Sequence, residues 1–240
     1  MGLDASIFID YGPQILEGFR LTVVLVVLAV LLGLPAGVLL AFAKRSKLAL
    51  IRWPAVAYLE VIRNTPFMIQ AFLLFYVLPF YGIRLPADVV GVLALAMFGS
   101  VYYAEIVRAG IDAVPRGQLQ SARAVGMSGL EAMRYVVLPQ SLPMILPPLA
   151  NQTLSLVKES AILSTITVQE MTMAALRVQG ETFRPFEVFV MVAALYWLLN
   201  ETIATGIRYL ERRTAARGRT RSAASLGAVG GALSLRGMPR

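Results

Sequence analysis

Residues 21–43 read LTVVLVVLAVLLGLPAGVLLAFA, 23 consecutive residues without a charge. At about 1.5 Å of rise per residue, a helix of that length covers roughly 35 Å, enough to cross a hydrocarbon core of about 30 Å. The stretch therefore reads as a transmembrane helix. A cleaved secretory signal would place a basic region before an apolar run of only about 7–15 residues. Residues 1–18 instead hold Asp4, Asp10 and Glu17 and no Lys or Arg, so the segment is expected to stay in the mature protein.

The whole chain agrees with that start. Its 240 residues are 58% hydrophobic and 15% charged, with mean hydropathy +0.69 and net charge +8. A soluble domain is about a quarter charged, so this chain has too little polar surface to cover itself in water. It contains neither His nor Cys. The usual zinc, haem and iron–sulfur sites, the Ser-His-Asp triad, the thiol nucleophile and the disulfide framework are all excluded. No metal site and no catalytic residue is expected.

Counting uncharged runs gives four further spans: 64–83, whose helix can begin as early as Pro54, then 89–104, 135–157 and 188–200. The last is short and must borrow flanking residues. Alternate loops carry sixteen Lys/Arg on one side (44–52, 108–134, 208–240) and four on the other (1–18, 81–86, 158–184). Cytoplasmic loops retain positive charge, which places the N-terminus outside and the C-terminus inside. An odd number of spans requires the same. The fold expected is all-α and integral to the membrane, with about five transmembrane helices. Residues 1–18 form an external interfacial segment, 19–211 the membrane domain, and 212–240 a basic tail. That tail, rich in Arg, Ala, Gly and Ser without apolar periodicity, reads as disordered. The positive charge is explained by the loops and by anionic lipid at the inner surface, not by nucleic acid.

One internal loop is too long for a plain connection. From 108 to 134 it is rich in Ala, Leu, Gln, Arg and Met, good helix formers, with Gly126 in the middle. It reads as two short helices, 116–125 and 128–137, bent at Gly126. Gly makes a left-handed bend without steric cost, and Ser128 with Glu131 has capping-box spacing. A cytoplasmic helix–Gly–helix is a docking surface for a partner.

Other polar residues bear on a route through the membrane. Glu60 with Arg63, and Glu105 with Arg108, stand at i, i+3, where helix-surface pairing is the simple account. Glu105 beside Tyr102 and Tyr103 also suits the lining of a polar path, since intramembrane ionisable groups face pathways or partners. The span 135–157 carries Pro139, Pro143, Pro147 and Pro148 together with Asn151 and Gln152. Its freed carbonyls need protein or a water-filled cavity, so a regular lipid-facing helix is not expected there. Lys158 and Glu159 suit either an interface anchor or the two charges of a zwitterionic ligand. Residues 160–176, apolar around Glu170, are too short for another span and are expected to dip into or lie along the outer interface.

The run Gln120-Ser121-Ala122, then Gly126, Val136 and Leu138-Pro139, has the spacing of the EAA loop of ATP-binding-cassette (ABC) importer permeases. The chain resembles the polar amino-acid uptake permeases of the histidine and glutamine type from about residue 14 to residue 213. The likeness includes Arg63-Asn64-Thr65-Pro66 followed by an apolar run with Gln70, Ala104-Glu105-Ile106-Val107-Arg108, Val114-Pro115-Arg116-Gly117-Gln118, Leu138-Pro139-Gln140, and Ser155-Leu156-Val157-Lys158-Glu159-Ser160. It departs from the pattern at Gln120, acidic in the family, at Ser121 in place of Ala, at Asn64 in place of Gly, and at Glu159 in place of Asp.

The resemblance implies a type I ABC importer permease core in the bacterial inner membrane, taking up polar amino acids by alternating access. The loop at about 112–137 would dock the ATPase through Gly117, Gln118, Gln120, Ser121, Ala122, Arg123, Gly126, Met127 and Ser128. Candidate path residues are Asn64, Thr65, Gln70, Tyr102, Glu105, Asn151, Gln152, Lys158 and Glu159. Implied partners are an ATP-binding subunit dimer, a second permease copy or paralogue, an extracytoplasmic substrate-binding protein and membrane lipid. ATP and Mg belong to the partner ATPase, because this chain has no Gly-x-x-x-x-Gly-Lys-Ser/Thr motif and carries no cofactor of its own. The alternatives are an ABC permease for another small solute, such as methionine or an osmolyte, and a stand-alone secondary transporter. The latter should show an internal repeat or an intramembrane ion relay, and neither is visible.

Overall fold

The computed structural model describes the backbone of residues 6–234 and the side chains of residue 7 and residues 9–209. Ten helices follow in order among them: α1 (Ser6–Asp10), α2 (Gly12–Lys44), α3 (Ala49–Arg63), α4 (Phe67–Phe72), α5 (Ala87–Asp112), α6 (Arg116–Ala124), α7 (Gly129–Ala132), α8 (Leu138–Glu159), α9 (Met171–Thr182) and α10 (Pro185–Ser234). Wider π-type turns at Leu73–Val77 and Met133–Val137, and tighter 3₁₀ turns at Leu78–Tyr81 and Ser160–Ile166, link them.

Helix α2 is apolar on all sides and divides its faces by size. Val24, Val27, Leu28, Leu31 and Leu32 point outward, while Leu25, Ala29, Gly33, Gly37 and Ala41, at four-residue spacing, are buried. Large side chains toward lipid and small ones toward a neighbour are what close helix packing in a membrane requires. The neighbour is α5, itself buried along Val90, Ala94, Leu95, Val101, Tyr103 and Ala104. At Gly37 a Cβ would lie 2.6 Å from Tyr103 Cβ and 2.7 Å from the Ser100 carbonyl oxygen. Only Gly permits that approach. Helix α8 also packs against α5, and α9 and α10 close one end of the bundle around Ile7, Ile15, Met171, Ala175, Val178, Val188 and Val192.

Among the described residues, three helical segments are long and apolar enough to cross a membrane: Gly12–Lys44, Ala87–Asp112 and Pro185–Tyr209. These correspond to the spans expected at 21–43, 89–104 and 188–200. The span expected at 64–83 is not one helix. It is the second arm of a pair, Ala49–Arg63 and Phe67–Tyr81, bent by 110°. Pro66 has no N–H for the Ile62 carbonyl and pushes Thr65 out of the α region, so the helix stops at Arg63. Pro54, by contrast, sits within α3.

The span expected at 135–157 is present as α8. Pro139 occupies the first turn, where a missing N–H costs nothing, and Pro143, Pro147 and Pro148 lie inside. By hydropathy α8 is not among the helices apolar enough to cross a membrane.

Residues 160–176 pack into the protein. Ser160, Leu163, Ile166, Val168, Glu170 and Met171 are buried, so this segment dips into the core. The external segment expected at 1–18 is likewise built into the fold where it is described, through Ile7 and Ile15; residues 1–5 lie outside the described residues. The tail read as disordered from 212 continues α10 as helix to Ser234. Its Ala and Arg content favours helix, and residues 235–240 lie outside the described residues.

Candidate functional site: a bent loop element, an ionic ladder and a broken helix

The loop between α5 and α8 has two arms. Helix α6 ends at Ala124, Gly126 stands at φ +90°, and α7 opens at Ser128. The Ser128 hydroxyl accepts from the Glu131 amide at 3.3 Å, and the Ser128 amide donates to Glu131 Oε2 at 2.8 Å. Two otherwise orphaned donors are thereby satisfied reciprocally. The Ser128 backbone amide, and then its hydroxyl, hold the Glu131 carboxyl below its ordinary 4.5. Gly117, Gln118, Gln120, Ser121, Arg123 and Ser128 are exposed, Met127 is half-buried, and Ala122 is buried as the inward anchor of α6. Gln140 donates to Gln118 Oε1 at 3.3 Å, tying the start of α8 to α6.

At the root of this element five charges alternate. Lys44 donates to Glu105 Oε1 at 2.6 Å. Arg108 donates to Glu105 Oε2 through Nε (3.0 Å) and Nη2 (2.8 Å), and to Asp112 Oδ2 through Nη1 (3.0 Å). Arg45 pairs with Asp112 Oδ1. The i, i+3 pair expected for Glu105 and Arg108 is thus one rung of a ladder that crosses from α5 to the end of α2. Sequence reasoning missed Lys44, Arg45 and Asp112. Asp112 stands at i, i+4 from Arg108 and was legible by the same rule, whereas Lys44 and Arg45 carry no local signal, because their contacts depend on how α2 and α5 are set side by side.

The candidate path residues fall into three groups. Tyr102 and Glu105 line a cleft of about 470 Å³ with Arg108, Met144 and Pro148, between α5 and α8. The adjacent Tyr103 faces the other way, fully buried, and its hydroxyl shares a 3.1 Å hydrogen bond with Thr153. Asn151 and Lys158 lie seven residues apart on the exposed side of α8, with Gln152 and Glu159 half-buried beside them.

Asn64, Thr65 and Gln70 meet at the helix break. Asn64 Nδ2 donates to the Glu60 carbonyl (2.7 Å), Thr65 Oγ1 to the Val61 carbonyl (2.9 Å), and Gln70 Nε2 to the carbonyls of Ile62 (2.8 Å) and Thr65 (3.0 Å). Three of the carbonyls freed at the end of α3, those of Glu60, Val61 and Ile62, are thereby given donors. Gln70 is buried, so its side chain is committed to the break and does not line an open path. Arg63 pairs with Glu60 at 2.6 Å on the last turn before the break.

Residues 33–216 match the family of binding-protein-dependent transport system inner membrane components. The chain belongs to that family. Among its relatives, the chain is 34% identical to the probable glutamine ABC transporter permease protein GlnM of Bacillus subtilis (strain 168), covering 88% of this chain and 98% of that one. It is 32% identical to the probable amino-acid ABC transporter permease protein YckA of the same organism, over 88% and 94%. The crystal structure of an amino acid ABC transporter with histidines contains a chain 40% identical, with TM-score 0.83 over 89% of this chain and all of that one.

This inner membrane component therefore has the type I ABC importer permease fold and is a multi-pass protein of the bacterial plasma membrane. It is a transport subunit and not an enzyme. An ATPase and a substrate-binding protein are its partners in general.

Proposed function

We propose that this permease takes up polar amino acids by alternating access, with its N-terminus outside and its C-terminus in the cytoplasm. It works as a pair, with itself or a paralogue. The 116–137 loop docks the ATPase, which holds ATP and Mg. The observation that carries the substrate class is the likeness to permeases named for glutamine and other amino acids, at 32–34% identity over 88% of the chain.

The geometry supports a path beside α8. Pro143, Pro147 and Pro148 each remove the amide that would serve the carbonyl four residues earlier, and unsatisfied carbonyls in lipid cost several kcal/mol each. The exposed stripe Met144, Pro148, Asn151 and Lys158 therefore faces a solvated path or the second permease copy. The cleft at Tyr102 and Glu105 opens onto the same side of α8.

The test is uptake by vesicles reconstituted with the permease, its ATPase and its binding protein, using a panel of labelled amino acids, methionine and a betaine-type osmolyte. ATP-dependent uptake of a polar amino acid, insensitive to dissipating ion gradients, is expected. Preference for methionine or the osmolyte would overturn the substrate class. Uptake driven by an ion gradient without ATP would overturn the mechanism.

A further inference from the structure

The five charges at the inner ends of α2 and α5 have a function that pairing alone does not explain. Glu105, Arg108 and Asp112 occupy one face of the last two turns of α5, and Lys44 and Arg45 are the last helical residue of α2 and its cap. Each carboxylate lies between two cations: Glu105 between Lys44 and Arg108, Asp112 between Arg108 and Arg45. Only two of these pairs cross between the helices, Lys44–Glu105 and Arg45–Asp112, and Arg108 joins them, so removing one end of the ladder weakens the tie between α2 and α5. Isolated surface pairs contribute little, and networks contribute more.

The ladder reinforces a contact that is already stiff. Above it, Gly37 meets Tyr103 and Ser100 at distances that leave no room for sliding, and close-packed interfaces move as units rather than deform. Below it, only Ala113, Val114 and Pro115 separate α5 from α6. That link is short of freedom. The Ala113 amide donates to Ala109, the Val114 amide to Ile111 and the Gln118 amide to Pro115; Val114 is buried, and proline fixes its own φ.

The far end of the loop is different. It enters α8 through the wide turn Met133–Val137, a type of irregularity frequent at functional sites of helices. A cavity of about 520 Å³ lies between Arg45 and Asp112 on one side and Leu119, Gln120 and Met133 on the other, so the rest of α6 does not press on the ladder.

We infer that the ladder Lys44–Glu105–Arg108–Asp112–Arg45 is a permanent latch that joins α2 and α5 into one lever, so that displacement of α6 reaches the membrane through this pair and not by shear between them. Asp112 and Lys44 are positioning residues for coupling and touch no substrate. The inference rests on the reading that the 116–137 loop docks the ATPase.

The experiment uses the full reconstituted transporter. Asp112→Asn and Lys44→Met are expected to keep ATP hydrolysis and the half-saturating substrate concentration unchanged, while substrate moved per ATP falls about ten-fold, as for loss of a typical coupling free energy. Because the chain has no cysteine, Arg45→Cys with Asp112→Cys can be bridged by a bifunctional thiol reagent. The open pair is expected to lose coupling like Asp112→Asn, and bridging is expected to restore it. Wild-type transport per ATP in both single variants, or bridging that stops transport, would overturn the latch.

If the single variants fail to assemble, the bridged pair alone decides. Copurification of the ATPase separates the two readings. It is expected to persist in every latch variant and to be lost when residues 116–128 are replaced by a Gly/Ser linker; persistence in that replacement would refute the docking reading instead.

Discussion

Gly37→Ala is the sharpest single test of the packing described above. The new methyl carbon would sit 2.6 Å from Tyr103 Cβ and 2.7 Å from the Ser100 carbonyl oxygen, where carbon contacts settle at about 3.5–4.0 Å. Neither neighbour can swing away, since one is the root of a buried side chain and the other is helix backbone. α2 and α5 must instead part by about 1 Å, which strips contact from the small-residue face of α2.

Overpacking of this kind costs about 1–3 kcal/mol. A central value of about 2 kcal/mol shifts the folded-to-unfolded ratio by roughly 30-fold. Gly117→Ala is the matched control. Nothing lies within 4 Å of its Cβ position in α6, and Ala exceeds Gly in a helix by about 1 kcal/mol, so that variant is expected to be neutral or more stable. Unfolding in mixed micelles by titration with sodium dodecyl sulfate, followed by Trp53 and Trp197 fluorescence, measures both. A Gly37→Ala midpoint at or above that of the unsubstituted protein would show that the close approach of α2 to α5 has been misjudged.

Four further outcomes are expected. Gly126→Val, forced to φ +90° at a cost of about 1–2 kcal/mol or more, should insert normally and lose ATP-driven uptake; normal uptake refutes the role given to the bend. Ser128→Ala should lower the stability of the loop by about 1 kcal/mol, seen as faster proteolysis of 113–137. The Glu131 carboxyl titrates below its unfolded value in the folded chain. Its contribution is therefore complete above about pH 4.5 and is lost as pH falls through the lower folded value, so amide exchange at Ser128 should quicken only at acid pH and should show no such step in Glu131→Gln. Gln70→Leu leaves the Ile62 carbonyl without its side-chain donor, an expected loss of about 1–3 kcal/mol in the same unfolding assay. An unchanged midpoint there would remove Gln70 from the break.

The features that local pattern encodes were readable before any coordinates. The uncharged run at 21–43 became α2, the Ser128–Glu131 spacing became a completed capping box, and the isolated Gly126 became the positive-φ residue between α6 and α7. One reading failed for a physical reason: a charge count treats 64–83 as continuous because it does not register that Pro66 breaks the helix. The prolines of 135–157 asked for partners for the carbonyls they free, and α8 forms with three of them inside. The ladder was half legible. Glu105 and Arg108 advertise each other across one turn of a single helix, but Lys44 is 61 residues from Glu105, and only the register of α2 against α5 brings them together. For the candidate path, the residue types at Asn64, Thr65 and Gln70 pointed to a polar region, while their hydrogen bonds were invisible without the 110° bend.

The wide turn at Met133–Val137 has an angular consequence. Each residue of an α-helix rotates the next by about 100°, so a turn holding one residue more than usual winds α8 out of phase with the short helix that precedes it. The side of α8 that meets α5, and the opposite side carrying Asn151 and Lys158, are therefore indexed by the number of residues between Ser128 and Leu138. Deleting one of Met133–Val137 would leave the capping box intact and swing that polar stripe by more than a quarter turn, toward α5 or away to lipid. The segment behaves as a gear tooth, tolerant of what each residue is and intolerant of how many there are.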